Sequence, residues 1–188
     1  MFGRTESRET QFATCKDFQK IFTEEMDSLH LLALMLTADE QKAEQCFVAG
    51  LEDSIHGNPV FRQWARSWSK RAIIKNAIKA LAPAAAQSDA TEANGLKAAT
   101  AAKSGDAQKD AMLAAVLELG TFTRFVFVMA VLENYSDREC SALLGSTAQD
   151  VVSAKAEAIR FMASRQLAAA ESKGLRIPRL PMLAGDAA

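Results

Sequence analysis

Between Pro83 and Asp110 the chain almost stops supplying large apolar side chains. The stretch is built mainly from Ala, Ser, Thr, Gly, Lys and Asp. Such a composition buries too little surface to order a core and reads as a linker, flexible or weakly helical. On either side of it, apolar residues return at helical spacing. This break predicts two small folding units, and 188 residues suffice for two small cores. Hydrophobic residues make up 49% of the chain, with only 9 Gly and 4 Pro, which favours helices over a sandwich or barrel. The expected fold is all-α: residues 12–82 form a first helical domain, 83–110 an Ala-rich linker, 111–170 a second domain and 171–188 a tail.

In the first unit, Phe18, Phe22, Leu29, Leu32, Met35 and Leu36 fall mostly at three- to four-residue steps. That spacing predicts one amphipathic helix ending near Leu36. Thr37 and Glu40 have capping-box spacing, so a second helix is expected to start there and to bury Ala43, Phe47 and Leu51. His56-Gly57-Asn58-Pro59 breaks it, with Asn58 as N-cap and Pro59 in the first turn of the next helix. That helix, from Val60 to about Leu81, carries Phe61, Trp64, Ala65 and Trp68 on one face and Arg62, Arg66 and Lys70 on another. Past Lys70 the apolar stripe rotates to Ile74, Ile78 and Leu81, and Arg71, Lys75 and Lys79 take the far side. The rotation predicts either a bend or a change of packing partner.

In the second unit, Met112, Leu113, Val116, Leu117 and Leu119 open one helical segment. Phe122, Phe125, Val126, Met129, Val131 and Leu132 belong to the next, which is apolar almost all round and so expected to be buried. Glu118 and Arg124 interrupt the apolar run Leu113 to Leu132, which reads as a core helix and not a membrane span. The sharpest punctuation follows. Ser136 and Glu139 form a capping box, Leu144 closes a short helix, and Gly145 suits a left-handed C-cap. Thr147 with Asp150 then opens a long helix through Val151, Val152, Ile159 and Met162. A short helix, a Gly-containing turn and a longer helix make the helix-turn-helix pattern.

The run Leu132 to Ser146 resembles the C-terminal helix-turn-helix of bacterial RNA polymerase sigma factors of the two-domain, extracytoplasmic-function type. The family pattern reads Gly-Tyr-Ser-x-x-Glu-Ile-Ala-x-Leu-Leu-Gly. Tyr135, Ser136, Glu139, Ala142, Leu143, Leu144 and Gly145 fit it with a one-residue shift around the alanine. Phe127 and Val128 are similar to the hydrophobic helix that precedes it. In the first half, Ala43-Glu44 resembles the start of the family's Ala-Glu-Asp-Leu-Val-Gln-Glu helix, and Phe61-x-x-Trp64 the aromatic start of its promoter-reading helix. Asn76 is similar to part of an Arg-Asn that follows. The resemblance covers most of the chain in matching order. It implies a transcription initiation factor whose partners are RNA polymerase core, promoter DNA and an anti-sigma protein, with no cofactor and no small-molecule substrate. The first domain would dock on polymerase and help open the promoter, and the second would read the upstream element.

Candidate contact residues follow from charge and position. Arg62, Arg66, Lys70, Arg71, Lys75 and Lys79 lie in a span, Ser54 to Ser88, that lacks Asp and Glu. In a chain of net charge −1, phosphate binding needs such a local patch. Trp64 or Trp68 could stack on an unpaired base, or both could sit in the core. On the second helix of the helix-turn-helix, Gln149, Ser153, Lys155 and Arg160 are the candidate DNA contacts. The resemblance makes Glu44, Gln45, Phe47 and Val48 the candidate polymerase contacts. Two stretches depart from the family. Gln45-Cys46-Phe47-Val48-Ala49 replaces polar docking contacts with apolar residues. Val151-Val152-Ser153-Ala154-Lys155, followed by Glu157, lacks the usual Val-Lys-Ser-Arg and further bases. A second reading therefore stays open: a protein-interaction module of sigma fold that no longer reads DNA.

Enzymatic chemistry finds no foothold in the sequence. No Gly-rich phosphate loop, metal-spaced His/Cys set or nucleophile–base pair is present, and Glu24-Glu25 and Asp39-Glu40 read as helix-surface and capping acids. Cys15, Cys46 and Cys140 form no CxxC and do not cluster with His30 or His56. That fits reduced thiols serving as small buried hydrophobes, with no metal. The opening run MFGRTESRETQF has no apolar core of signal-peptide type. The expectation is a soluble, cytoplasmic protein without a membrane partner.

Overall fold

The computed structural model describes residues 11–83 and 107–172; most of the expected linker and tail lies outside them. Among the described residues the chain is all-α. Its helices are α1 (Cys15–Glu24), α2 (Met26–Thr37), α3 (Glu40–His56), α4 (Ala65–Leu81), α5 (Ala107–Leu117), α6 (Thr121–Phe127), α7 (Asp137–Leu144) and α8 (Ala148–Ser172). A 3-10 turn, Arg62–Trp64, leads into α4, and a π-helical turn, Val128–Leu132, continues α6. No helix among the described residues is long and apolar enough to cross a membrane.

Three boundary expectations are corrected. The helix predicted to end near Leu36 is two helices, because the backbone leaves helical geometry at Glu25 (φ −111°, ψ 20°). A capping box of Thr14 and Asp17 starts the first of them. Thr37 and Glu40 do not cap α3. Thr37 is buried at the end of α2, and its hydroxyl donates to the carbonyls of Ala33 (2.9 Å) and Asp39 (3.0 Å). Asp39 caps instead, its carboxylate accepting the Lys42 amide at 2.8 Å. Asn58 and Pro59 do not start α4. The Ala13 amide donates to the Val60 carbonyl (2.7 Å) and the Arg62 amide to the Gln11 carbonyl (3.0 Å). This antiparallel bridge, with Phe12 stacked on Phe61 at 4.9 Å, keeps the chain around Phe61 non-helical.

Burial explains the rotating stripe of α4. Ala65 and Trp68, at its start, pack with Phe18 and Val60 in a small cluster. Ile73, Ile74 and Ala77, further on, enter the main core. The rotation is thus a change of packing partner. Gly50 of α3 makes the approach close: a Cβ there would lie 2.6 Å from Ile73 Cγ1.

The two expected domains share that core. One buried cluster holds Leu29, Leu32, Leu36, Ile73 and Ile74 together with Val116, Phe125, Val128, Met129, Cys140 and Val151. Arg124, only 6% exposed, sits inside it. Its Nε donates to the Leu36 carbonyl (3.3 Å) and its Nη1 to the Leu119 carbonyl (2.9 Å). The guanidinium there meets the last-turn Leu36 carbonyl of α2, whose partial negative charge favours a cation. The charge that argued against a membrane span is thus a bridge between the halves.

The last two helices follow their local signals. Ser136 and Glu139 form the predicted capping box, and Gly145 takes the left-handed conformation (φ 62°). Thr147 and Asp150 exchange reciprocal bonds at 3.1 Å at the start of α8.

Candidate nucleic-acid interface

The 3-10 turn and α4 form one wall of an open groove of about 700 Å³. Phe61, Trp64, Trp68, Arg66, Lys70 and Arg71 line that wall; Leu132, Glu133, Asn134, Tyr135 and Glu139 line the other. Trp64 is 55% exposed and meets Phe61 edge-on at 5.1 Å, so it belongs to the surface and not to the core. Trp68 is half-buried against the small cluster, with Lys75 Nζ 5.8 Å from its ring centroid.

The chain's own carboxylates occupy most of the basic face. Arg62 pairs with Asp17 (3.1 Å), Arg66 with Glu25 (2.5 Å), Lys70 with Glu133 (2.8 Å) and Lys79 with Asp53 (3.7 Å). Among the described residues no ion pair engages Arg71 or Lys75. Arg71 is half-buried beside Tyr135 in the groove lining; burial pushes the Tyr135 phenol up, and the charge of the Arg71 guanidinium partly offsets the shift. The Ser54–Ser88 span is free of acids in sequence, yet its charge is largely neutralised in space.

The other candidate set lies elsewhere. Gln149, Ser153 and Arg160 are exposed on α8, while Lys155 is half-buried against Asp137. None of the four lines the groove. The exposed face of α8 also carries Val152, Ile159 and Leu167, an apolar content unlike a base-reading surface. Glu44, Gln45 and Val48 share the outer face of α3 with Gln41 and Glu52. Phe47 turns inward, edge-on to Phe22 at 5.2 Å, so it supports that face without being displayed on it.

Sequence reasoning missed the counter-ions Asp17, Glu25, Asp53, Glu133 and Asp137, and Tyr135 as a neighbour of Arg71. Apart from the capping position of Asp17, no local pattern marks them. The cysteine expectation is corrected at one position, since Cys15 is exposed. Cys46 and Cys140 are buried; burial raises both thiols, and Cys140 is pushed up to about 11, with Asp137 and Glu139 adding to the effect. They are poor nucleophiles. Among the described residues no group of three or more His, Cys, Asp or Glu side chains is placed to hold a metal ion. In comparisons with known proteins, no family model and no curated protein matches the chain.

Proposed function

We propose that the chain is a sigma-type transcription regulator that engages RNA polymerase core and promoter DNA, without enzymatic activity of its own. The observation that carries this reading is the run from Tyr135 to Asp150. It combines a closed capping box, a left-handed Gly145 and a second reciprocal cap opening α8, in the order the sigma-type sequence pattern sets. The groove supports it as a contact for unpaired promoter DNA, with Trp64 open to stacking and Arg71 outside ion pairs; Lys75, beside the Trp68 ring, is likewise outside ion pairs. The outer face of α3, with Glu44, Gln45 and Val48, would meet polymerase, and the cytoplasm is the compartment this work requires. Retention of core polymerase by the purified chain, followed by run-off transcription on genomic fragments, tests it. Promoter-specific transcripts are expected; a folded chain that neither retains the core nor directs transcripts overturns the reading.

One set of observations favours the second reading, an interaction module that has given up DNA reading. Arg62, Arg66, Lys70, Lys79 and Lys155 are all paired internally, and α8 displays apolar side chains where a reader displays polar ones. A folded chain that retains no core polymerase and shows no salt-dependent DNA binding would select it.

A further inference from the structure

Residues 11–13 lie as a strap along Val60–Arg62. The Ala13 amide donates to the Val60 carbonyl (2.7 Å) and the Arg62 amide to the Gln11 carbonyl (3.0 Å), so the two bonds flank Phe61. Between them the Phe12 ring stacks on the Phe61 ring, with centroids 4.9 Å apart and planes 19° apart. Phe61 is thus held from both sides of its backbone and across its ring. The strap is itself anchored. Thr14, the next residue, caps α1 together with Asp17, and the Asp17 carboxylate also accepts from Arg62 at 3.1 Å.

Phe61 in turn sets Trp64. Its carbonyl accepts the Trp64 amide at 2.9 Å, and its ring stands nearly perpendicular to the indole, 5.1 Å and 89° away. The start of α4 adds no side-chain cap to this arrangement. An indole 55% exposed keeps one orientation only where packing holds it. An indole already held loses less freedom when a base stacks on it. Phe12 does not line the groove, so it can act there only through Phe61. We propose that the strap is the buttress of the groove and that Phe12 is a positioning residue, holding Trp64 displayed for a stacked base. The inference rests on the nucleic-acid reading of the groove and extends it to residues outside its lining.

The test uses the full chain carrying Trp68→Phe, which leaves Trp64 as the sole tryptophan, since the chain has only 2. Fluorescence anisotropy of that indole reports its motion. Phe12→Ala should lower the anisotropy, and Phe12→Tyr, which keeps the ring, should restore it. Binding is measured with two single-stranded DNA probes of about ten nucleotides, one with bases and one abasic throughout, so that their charge is equal. Phe12→Ala should weaken the base-bearing probe about three- to tenfold, part of what one stacked base contributes, and leave the abasic probe unchanged. Circular dichroism checks that each variant is folded. Ala13→Pro removes the amide that donates to Val60 but keeps both rings, and should act in the same direction. Unchanged anisotropy in folded Phe12→Ala overturns the inference, as does a base-bearing probe that this variant and its parent bind equally. Equal weakening of both probes overturns it too, because it marks a change of charge or fold. A parent that binds neither probe removes the nucleic-acid reading of the groove, and the anisotropy comparison then decides alone whether the strap holds Trp64.

Discussion

Helices α4 and α8 are the two elements expected to meet nucleic acid, and the structure gives them opposite surroundings. α4 and the turn that leads into it have the charge, but four of their six cations are held by Asp17, Glu25, Glu133 and Asp53 from other elements. α8 has the exposed face, but that face is apolar along Val152, Ile159 and Leu167. A helix's partner surface is thus not settled by residue type on its own wheel. It depends on what the rest of the chain brings against it.

The same chemical change on the two helices breaks or sharpens this contrast most strongly. Ile73 of α4 is fully buried, so Ile73→Ala should destabilise the fold by about 2–5 kcal/mol. Ile159→Ala on α8 should change it by less than about 0.5 kcal/mol. Urea denaturation of both variants checks the pair, and equal losses would mean that the outer face of α8 is covered. Gly50→Ala comes next. A methyl 2.6 Å from Ile73 Cγ1 forces α3 and α4 apart, and the cost should be about 1–3 kcal/mol by the same assay. Gly145→Ala meets no atom within 4 Å but must hold φ at +62°, a backbone strain of about 1–2 kcal/mol. Arg66→Ala, which releases Glu25 from an exposed guanidinium, should cost under about 1 kcal/mol and less still at high salt.

The smallest effect is a pH dependence. Hydrogen bonds from Thr14 lower the Asp17 carboxyl, with Arg62 assisting. Bonds from Ser136 lower that of Glu139. A carboxyl lowered on folding adds stability that is present above its ordinary range and lost as pH falls through the lowered value. The urea midpoint should therefore drop below about pH 4, and Thr14→Ala should flatten the part due to Asp17.

What was legible in the sequence was local. Ser136 with Glu139, Gly145, and Thr147 with Asp150 lie within a few residues of one another, so their backbone consequences could be read directly. The switch of packing partner along α4 was legible as a rotating stripe. The kink at Glu25, the bridge from Gln11–Ala13 to Val60–Arg62 and the shared core were not. The bridge and the shared core join chain segments tens of residues apart. Arg62 and Asp17 are 45 positions apart, and Lys70 and Glu133 are 63. For the candidate site this mattered most, because a basic stripe in sequence and a paired one in space look identical along the chain.

The salt dependence of binding to a single-stranded promoter probe tests most directly whether the charge of α4 is held internally. Each phosphate contact contributes a slope of about −0.7 in log affinity against log salt. With Arg71 and Lys75 as the cations outside ion pairs, the slope should be about −1 to −2, steepening when Glu25 and Glu133 are both changed to Gln. A parent slope near about −4, as six engaged cations would give, would contradict the account.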